Sequence, residues 1–353
     1  MKALKYGLVY ILPILFVVGV LAGGWLTYGP LLFAFGVIPL LELFFKPDEK
    51  NLDQAEIEMR KDDRLYDLML YAVVPLIYGS IALYLVHIST SSLSTFEVTG
   101  LTLSLGVLLG GMGINVAHEL GHRHTSHEKF MAKALLLPSA YMHFFIEHNR
   151  GHHKNVSTHE DPASSRYNET VYHFWIRSVV YSFVSAWNIE KKRLERAKKT
   201  VWSLENEMIR FQLIQIAFWA AIFLVFGFEI TLIYTGAAIV GFLMLETVNY
   251  IEHYGLARKK VSENRYERVE PHHSWNSNHI VGRVMLFELS RHSDHHYKPA
   301  KKYQILEHHD QSPQMPTGYP GMMLLSLVPP LWFNIMNKRI PGHQKSKLLS
   351  QAA

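Results

Sequence analysis

The sequence predicts an all-α integral membrane protein with six transmembrane helices, and three observations carry that prediction. Six apolar stretches approach or reach the roughly 20 residues that a spanning helix needs. Basic residues are confined to alternate connectors, as the positive-inside rule requires. Nine histidines gather at the ends of these stretches or in the polar blocks between them, all on the side that the charges assign to the cytoplasm.

Residues 4–27 are apolar apart from Lys5 and form the first span; the run is too long for a signal peptide, and no small-x-small cleavage site stands out. Gly29-Pro30 predicts a tight turn, from which 31–45 returns across the bilayer. Residues 46–64 are a charged connector. The third span is 68–88 and the fourth 96–117, joined by residues 89–95, which contain no Lys or Arg. Within the fourth, Gly106 and Gly110 form a small-xxx-small pair that lets another helix approach closely.

Residues 118–208 are a polar block. Inside it 171–187 is apolar but carries His173 and Arg177, which predicts a helix lying on the membrane, and 191–199 is densely basic. The fifth and sixth spans, 209–226 and 230–251, meet at Gly227-Phe228-Glu229. The block 252–336 follows, with an apolar piece at 319–333 broken by Pro320, Pro329 and Pro330, and then a polar tail, 337–353. Six crossings leave both termini in the cytoplasm, and the whole chain reads as one membrane-embedded domain.

Composition closes off several chemistries. The 353 residues include no cysteine, so disulfides, iron–sulfur clusters and Cys-ligated zinc are excluded. The net charge of +5 fits cytoplasmic loops beside a membrane. No aromatic-basic motif accompanies it, so nucleic acid is not an expected partner.

The histidines carry the chemistry. His292, His295 and His296 stand at i, i+3 and i+4, one face of a helix. His118 and His122 are at i, i+4; His148, His152 and His153 are at i, i+4, i+5; His253 stands alone. Nine imidazoles are too many for one ion and suit two, with four or five nitrogens each, which predicts a cytoplasmic, histidine-rich di-metal domain. Iron, copper and zinc all accept imidazole. Neutral ligands leave the metal charge to be balanced from outside, and Glu119, Glu147, Glu252 and Asp294 each adjoin a box histidine. Two other readings compete. His118-Glu119-Leu120-Gly121-His122 matches the HExxH pattern of zinc proteases, which leaves the other boxes unexplained. A metal transporter predicts ionisable residues within spans, where Glu42 and Glu246 are the notable acids.

The segments HELGHR (118–123), EHNRGHH (147–153), DPAS (161–164), NYIEHYGL (249–256), HSWNSNH (273–279) and RHSDHHYKP (291–299) together resemble the membrane-bound alkane 1-monooxygenase family, within the fatty-acid desaturase and hydroxylase superfamily. The likeness extends over most of the chain. It implies a non-haem di-iron site with His118, His122, His148, His152, His153, His253, His292, His295 and His296 as ligands. It implies O2 as co-substrate and hydroxylation of the terminal methyl group of medium- to long-chain n-alkanes to 1-alkanols. Electrons would come from NADH through rubredoxin reductase and rubredoxin, at the bacterial inner membrane. With no cysteine here, the rubredoxin must be a separate chain. Residue 290 is Ser where many relatives carry Gln. Xylene-type methyl hydroxylases and fatty-acyl desaturases or hydroxylases share much of the pattern and remain alternatives. His273 and His279, with His272, read as supports outside the ligand set. An alkane channel is expected beside Trp25, Phe33, Phe35 and Ile114. Lys191, Lys192, Arg193, Arg196, Lys198 and Lys199, with Lys298, Lys301 and Lys302, are expected to dock the electron donor.

Overall fold

The computed structural model describes residues 2–263, 265–342 and 344, and helices dominate it. The chain forms two compact units, each assembled from separated stretches: 1–37, 63–147 and 186–245 in the first, 38–62, 148–185 and 246–353 in the second.

Among the described residues, five helices are long and apolar enough to cross a membrane: Lys2–Ala22, Gly24–Glu42, Arg64–Thr90, Thr95–Gly121 and Glu207–His253. The last contains both the fifth and sixth predicted spans. At its middle Gly227 leaves helical geometry (φ 83, ψ 177). Across that point Trp219 Nε1 donates to Thr235 Oγ1 at 3.1 Å. Sixteen residues of unbroken helix would separate the two by about 24 Å, so the chain folds back at Gly227 into two antiparallel arms. The six apolar stretches are therefore six helical arms.

The first turn lies elsewhere than predicted. The chain reverses at Gly23-Gly24, where both residues have positive φ (67 and 55), and Gly29-Pro30 sits inside the next helical run. Proline is tolerated in a first helical turn because its missing N–H would have no partner there, so Gly-Pro alone does not mark a reversal. The reversal is pinned by Glu97, whose Oε1 accepts from Gly24 N at 3.0 Å.

Small residues bring the arms of the first unit together. Thr95–Gly121 is buried along most of its length. A Cβ on Gly106 would lie 2.5 Å from Val240, and one on Gly110 would lie 2.7 Å from the Gly241 carbonyl oxygen. The glycine pair thus does what its spacing predicts. Beside it Leu108–Ile114 is π-helical, a widening that shifts the register of the following helix Asn115–Gly121, which carries His118 and is capped by His122.

The second unit has an aromatic and arginine core. Trp332 packs against Tyr250 and Tyr254, each with ring centroids 5.2 Å away. Trp275 Nε1 donates to the Tyr254 carbonyl at 2.9 Å. Arg291, 2% exposed, donates to the carbonyls of Leu306 (2.7 Å) and Lys50 (2.8 Å). The helix Val171–Arg196 joins the predicted surface helix and the basic stretch into one element. Arg177 does not face solvent there; it is buried against Glu169. The described part of the predicted polar tail is tied to the second unit: Pro329–Arg339 is helical, Asn337 Oδ1 accepts from Tyr254 OH at 2.8 Å, and Gln344 Oε1 accepts from Ala257 N at 2.9 Å. The rest of the predicted tail lies outside the described residues.

Candidate metal centre

Seven of the nine predicted histidines lie in the second unit, and local backbone geometry aims each one. Gly255, at φ 66, ends the helix that delivers His253; a Cβ there would meet Ile340 at 2.5 Å. Residues His148–His152 are π-helical, which turns positions i+4 and i+5 back toward i, so His148 looks toward both His152 and His153. Phe287 and Glu288 take left-handed conformations (φ 49 and 58), a strained turn. Arg283 holds it, its Nε 2.7 Å from Glu288 Oε2. That turn swings the chain into the helix His292–Tyr297.

The imidazoles fall into two nitrogen groups. His152, His253, His292 and His296 offer nitrogens all within 4.8 Å of one another, and all four residues are buried. His152 Nε2 is 3.2 Å from His296 Nε2, and His292 Nε2 is 3.3 Å from His253 Nε2. His148, His153 and His295 form the other set: His153 Nε2 is 2.9 Å from His148 Nε2 and 3.2 Å from His295 Nε2. Two nitrogens each about 2.1 Å from a shared ion sit about 3–3.4 Å apart, so both sets are spaced as ligands. The buried, all-imidazole donor set fits a transition metal, iron included. The remaining two histidines, His118 and His122, stand in the first unit with ring centroids 5.2 Å apart.

Carboxylates flank the four-imidazole group. Asp161 Oδ2 is 2.8 Å from His152 Nδ1, which places the proton on Nδ1 and leaves Nε2 as a donor lone pair. Ser164 Oγ donates to the same oxygen at 2.5 Å. Burial pushes the Asp161 carboxyl up, but the His152 contact and the Ser164 hydroxyl outweigh it and hold it below the usual carboxylate range. Glu252 Oε2 lies 3.2 Å from His292 Nε2. Its Oε1 accepts from Tyr319 OH at 2.8 Å. Burial, then the neighbouring Glu252, hold the Tyr319 phenol well above its usual range, so it remains a donor. Burial, then the crowd of imidazoles, hold His296 well below its usual range, so it stays neutral.

Residue spacing does not single out Asp161 or Tyr319 as part of the site. The signal for Asp161 was present in the DPAS segment; Tyr319 carried none. Three other predicted supports, Asp294, Glu119 and His279, have partners outside the two nitrogen groups. Asp294 is taken up by Lys301 (2.6 Å), His309 (2.7 Å) and the Glu307 amide (2.8 Å), so it anchors its helix to the following loop. Glu119 pairs with Arg123 at 2.8 Å, and Arg123 with Asp67 at 3.2 Å, which argues against a protease base. Glu147 is buried at the end of Phe144–Glu147. His279 Nδ1 is 3.0 Å from Ser277 Oγ.

His272, His273 and Glu267 form a third group with metal-like spacing. The Glu270 amide donates to His273 Nδ1 at 2.9 Å, which fixes the proton on Nε2, 3.2 Å from Glu267 Oε1. An imidazole protonated toward a carboxylate donates rather than ligates, so this trio is a structural pin.

Of the channel candidates, Ile114 is fully buried, Phe33 and Phe35 are half-buried, and Trp25 is 73% exposed. Trp25 packs edge-on against Phe96 at 4.8 Å, at the Gly23-Gly24 reversal. The basic stretch is partly neutralised locally: Arg193 pairs with Glu190 at 2.8 Å, Lys199 with Glu205 at 2.9 Å and Lys191 with Glu195 at 3.9 Å.

Comparison with known proteins points the same way. The fatty acid desaturase family profile matches residues 94–325. The chain is 40% identical to the alkane 1-monooxygenase of Pseudomonas putida over 90% of this chain and 79% of that one. It is 39% identical to that of Acinetobacter baylyi over 94% and 83%. With the xylene/toluene monooxygenase hydroxylase component XylM of Pseudomonas putida it shares 27% over 96% and 89%. Matches of that length and identity make this chain a member of the fatty acid desaturase family and, within it, of the alkane 1-monooxygenases.

Proposed function

We propose that this protein hydroxylates the terminal methyl group of n-alkanes, with O2 as co-substrate, two iron ions as cofactor and reduced rubredoxin as electron donor. The observation that carries the reading is the sorting of seven imidazoles into two nitrogen groups, one of them flanked by Asp161 and Glu252. His152, His253, His292 and His296 would hold one ion and His148, His153 and His295 would contribute to the other, with His118 and His122 proposed as further ligands on their sequence motif. Bound iron would supply O2 activation and attack on an unpolarised C–H bond, chemistry that no acid–base side chain provides.

The chain's own residues set the conditions. Neutral imidazoles would hold the ions, and Asp161 and Glu252 would offset the charge at the four-imidazole group in a buried setting where an uncompensated ion is costly. An n-alkane partitions into lipid, which suits a protein with several apolar helices. Rubredoxin would be reduced by its reductase with NADH. The positive connectors support a bacterial inner-membrane protein with six crossings and both termini cytoplasmic.

The test is product analysis. Membranes carrying the protein, with rubredoxin, reductase and NADH, are offered n-alkanes of several lengths, a methylbenzene and a fatty acid, and products are identified by gas chromatography with mass detection. A 1-alkanol that disappears in His253→Ala and His295→Ala supports the reading. A second reading, methyl hydroxylation of alkylbenzenes, is favoured by the full-length likeness to the xylene/toluene enzyme and predicts a benzyl alcohol. A new double bond in the acyl chain would overturn both.

A further inference from the structure

We propose that Tyr319 is a positioning residue for the four-imidazole group and that it acts through Glu252. The proposal rests on the reading that those imidazoles hold a metal ion. Tyr319 is fully buried and Glu252 nearly so. The phenol donates to Oε1 of Glu252 at 2.8 Å, which turns Oε2 toward His292 Nε2, 3.2 Å away. That nitrogen also faces His253 at 3.3 Å, so the free carboxylate oxygen looks into the group.

Backbone contacts leave only the side-chain torsions of Glu252 to be fixed. The Glu252 carbonyl accepts from Trp275 N at 2.8 Å. The terminal torsion of a glutamate is broad and nearly two-fold, so one directional donor decides which oxygen faces inward. Tyr319 in turn sits where it does because the start of its helix is clamped. Glu42 accepts from Gly282 N at 3.0 Å, and a Cβ on Gly318 would fall 2.1 Å from a Glu42 oxygen. An acid at the end of the second long helix thus fixes the entry of Tyr319–Ser326, and the first side chain of that helix fixes Glu252. With Asp161 on His152, two carboxylates then flank the imidazoles that would hold the ion.

The experiment compares full-length wild type, Tyr319→Phe, Glu252→Gln and the double variant, each loaded with iron in detergent. Iron release into a chelator and the Mössbauer spectrum are recorded alongside the thermal midpoint. Phe keeps the ring and removes only the hydroxyl. We expect Tyr319→Phe to lose one of the two irons on the order of 10–100-fold faster, with altered parameters for that iron alone. We also expect the double variant to be no worse than Glu252→Gln. Wild-type release from Tyr319→Phe overturns the proposal. So does additivity in the double variant, or equal loss of both irons with a lowered midpoint, which would mark a merely structural role. His296→Ala serves as control: if it retains both irons, the reading of the four-imidazole group itself has failed.

Discussion

His152 and His153 are neighbours in sequence, yet their imidazoles serve different nitrogen groups: His152 Nε2 meets His296 at 3.2 Å, and His153 Nε2 meets His295 at 3.2 Å. The same division separates His295 from His296. Consecutive residues of a helix point about 100° apart, so a His-His doublet reaches two sites at once. Two doublets facing each other build two sites from the shortest possible sequence.

The division makes a prediction about metal content. His153→Ala and His295→Ala should each lower bound metal from about two ions per chain to about one, and the double variant should lose no more. Pairing His153→Ala with His296→Ala should remove nearly all of it. Plasma mass spectrometry on purified variants checks this; equal losses in all doubles would mean that the groups are not separate sites.

Asp161→Asn offers a second test. Asn keeps the size and can still accept from His152 Nδ1, but it removes the charge that offsets the ion. Metal affinity of the four-imidazole group should fall about 10–100-fold, with the other group unaffected. Competition with a chelator measures it, and unchanged affinity would mean that Asp161 only orients the ring.

How much of this was legible in the sequence follows from what spacing encodes. The length of the apolar runs exposed the helical arms, and helical spacing exposed the His292, His295, His296 face, because those patterns are local. The glycine pair at Gly106 and Gly110 was legible because close helix packing needs missing side chains. Asp294 adjoins His295 and was expected to support the imidazoles, yet it faces Lys301 and His309. Asp161 lies nine residues from the ring it orients, and Tyr319 lies 67 from Glu252. Adjacency in sequence says nothing about which way a side chain faces; long-range pairing decides that. Arg177 shows the same limit: its charge in an apolar stretch does not reveal that its partner Glu169 draws it inward.

That pairing yields a stability prediction. Arg177 donates to both Glu169 carboxylate oxygens (2.7 and 2.8 Å) and to the carbonyls of Pro162 and Ser164 (3.0 Å each), so it ties down the loop that carries Asp161. Arg177→Ala leaves Glu169 buried and without its guanidinium partner and should cost about 3–5 kcal/mol. Thermal unfolding in detergent tests the magnitude. Arg177→Lys should recover only part, since a point charge cannot bridge both carboxylate oxygens and two carbonyls.

The glycine contact can be tested in the same assay. A Cβ on Gly110 would meet the Gly241 carbonyl oxygen at 2.7 Å and Met244 Cβ at 2.9 Å, neither of which is the end of a flexible side chain. Gly110→Ala should therefore destabilise by about 1–3 kcal/mol, whereas Gly36→Ala, with nothing within 4 Å, should not. Equal midpoints for the two would remove the packing argument.

His143 gives a pH dependence. It is buried, and burial lowers its pKa from 6.5 to about 3, so the folded protein holds it neutral. The unfolded chain takes up the proton below about 6.5, and stability therefore falls as pH drops from about 6.5 toward 3. The full contribution is present above 6.5 and is lost by the time His143 charges in the fold. His143→Phe has no proton to bind in either state. It should flatten the acid limb of the stability curve by a few kcal/mol, since each tenfold difference in proton affinity between the folded and unfolded chain is worth about 1.4 kcal/mol. Denaturation midpoints between pH 4 and 7 for the two proteins decide the matter: parallel curves would mean that other groups govern the acid limb.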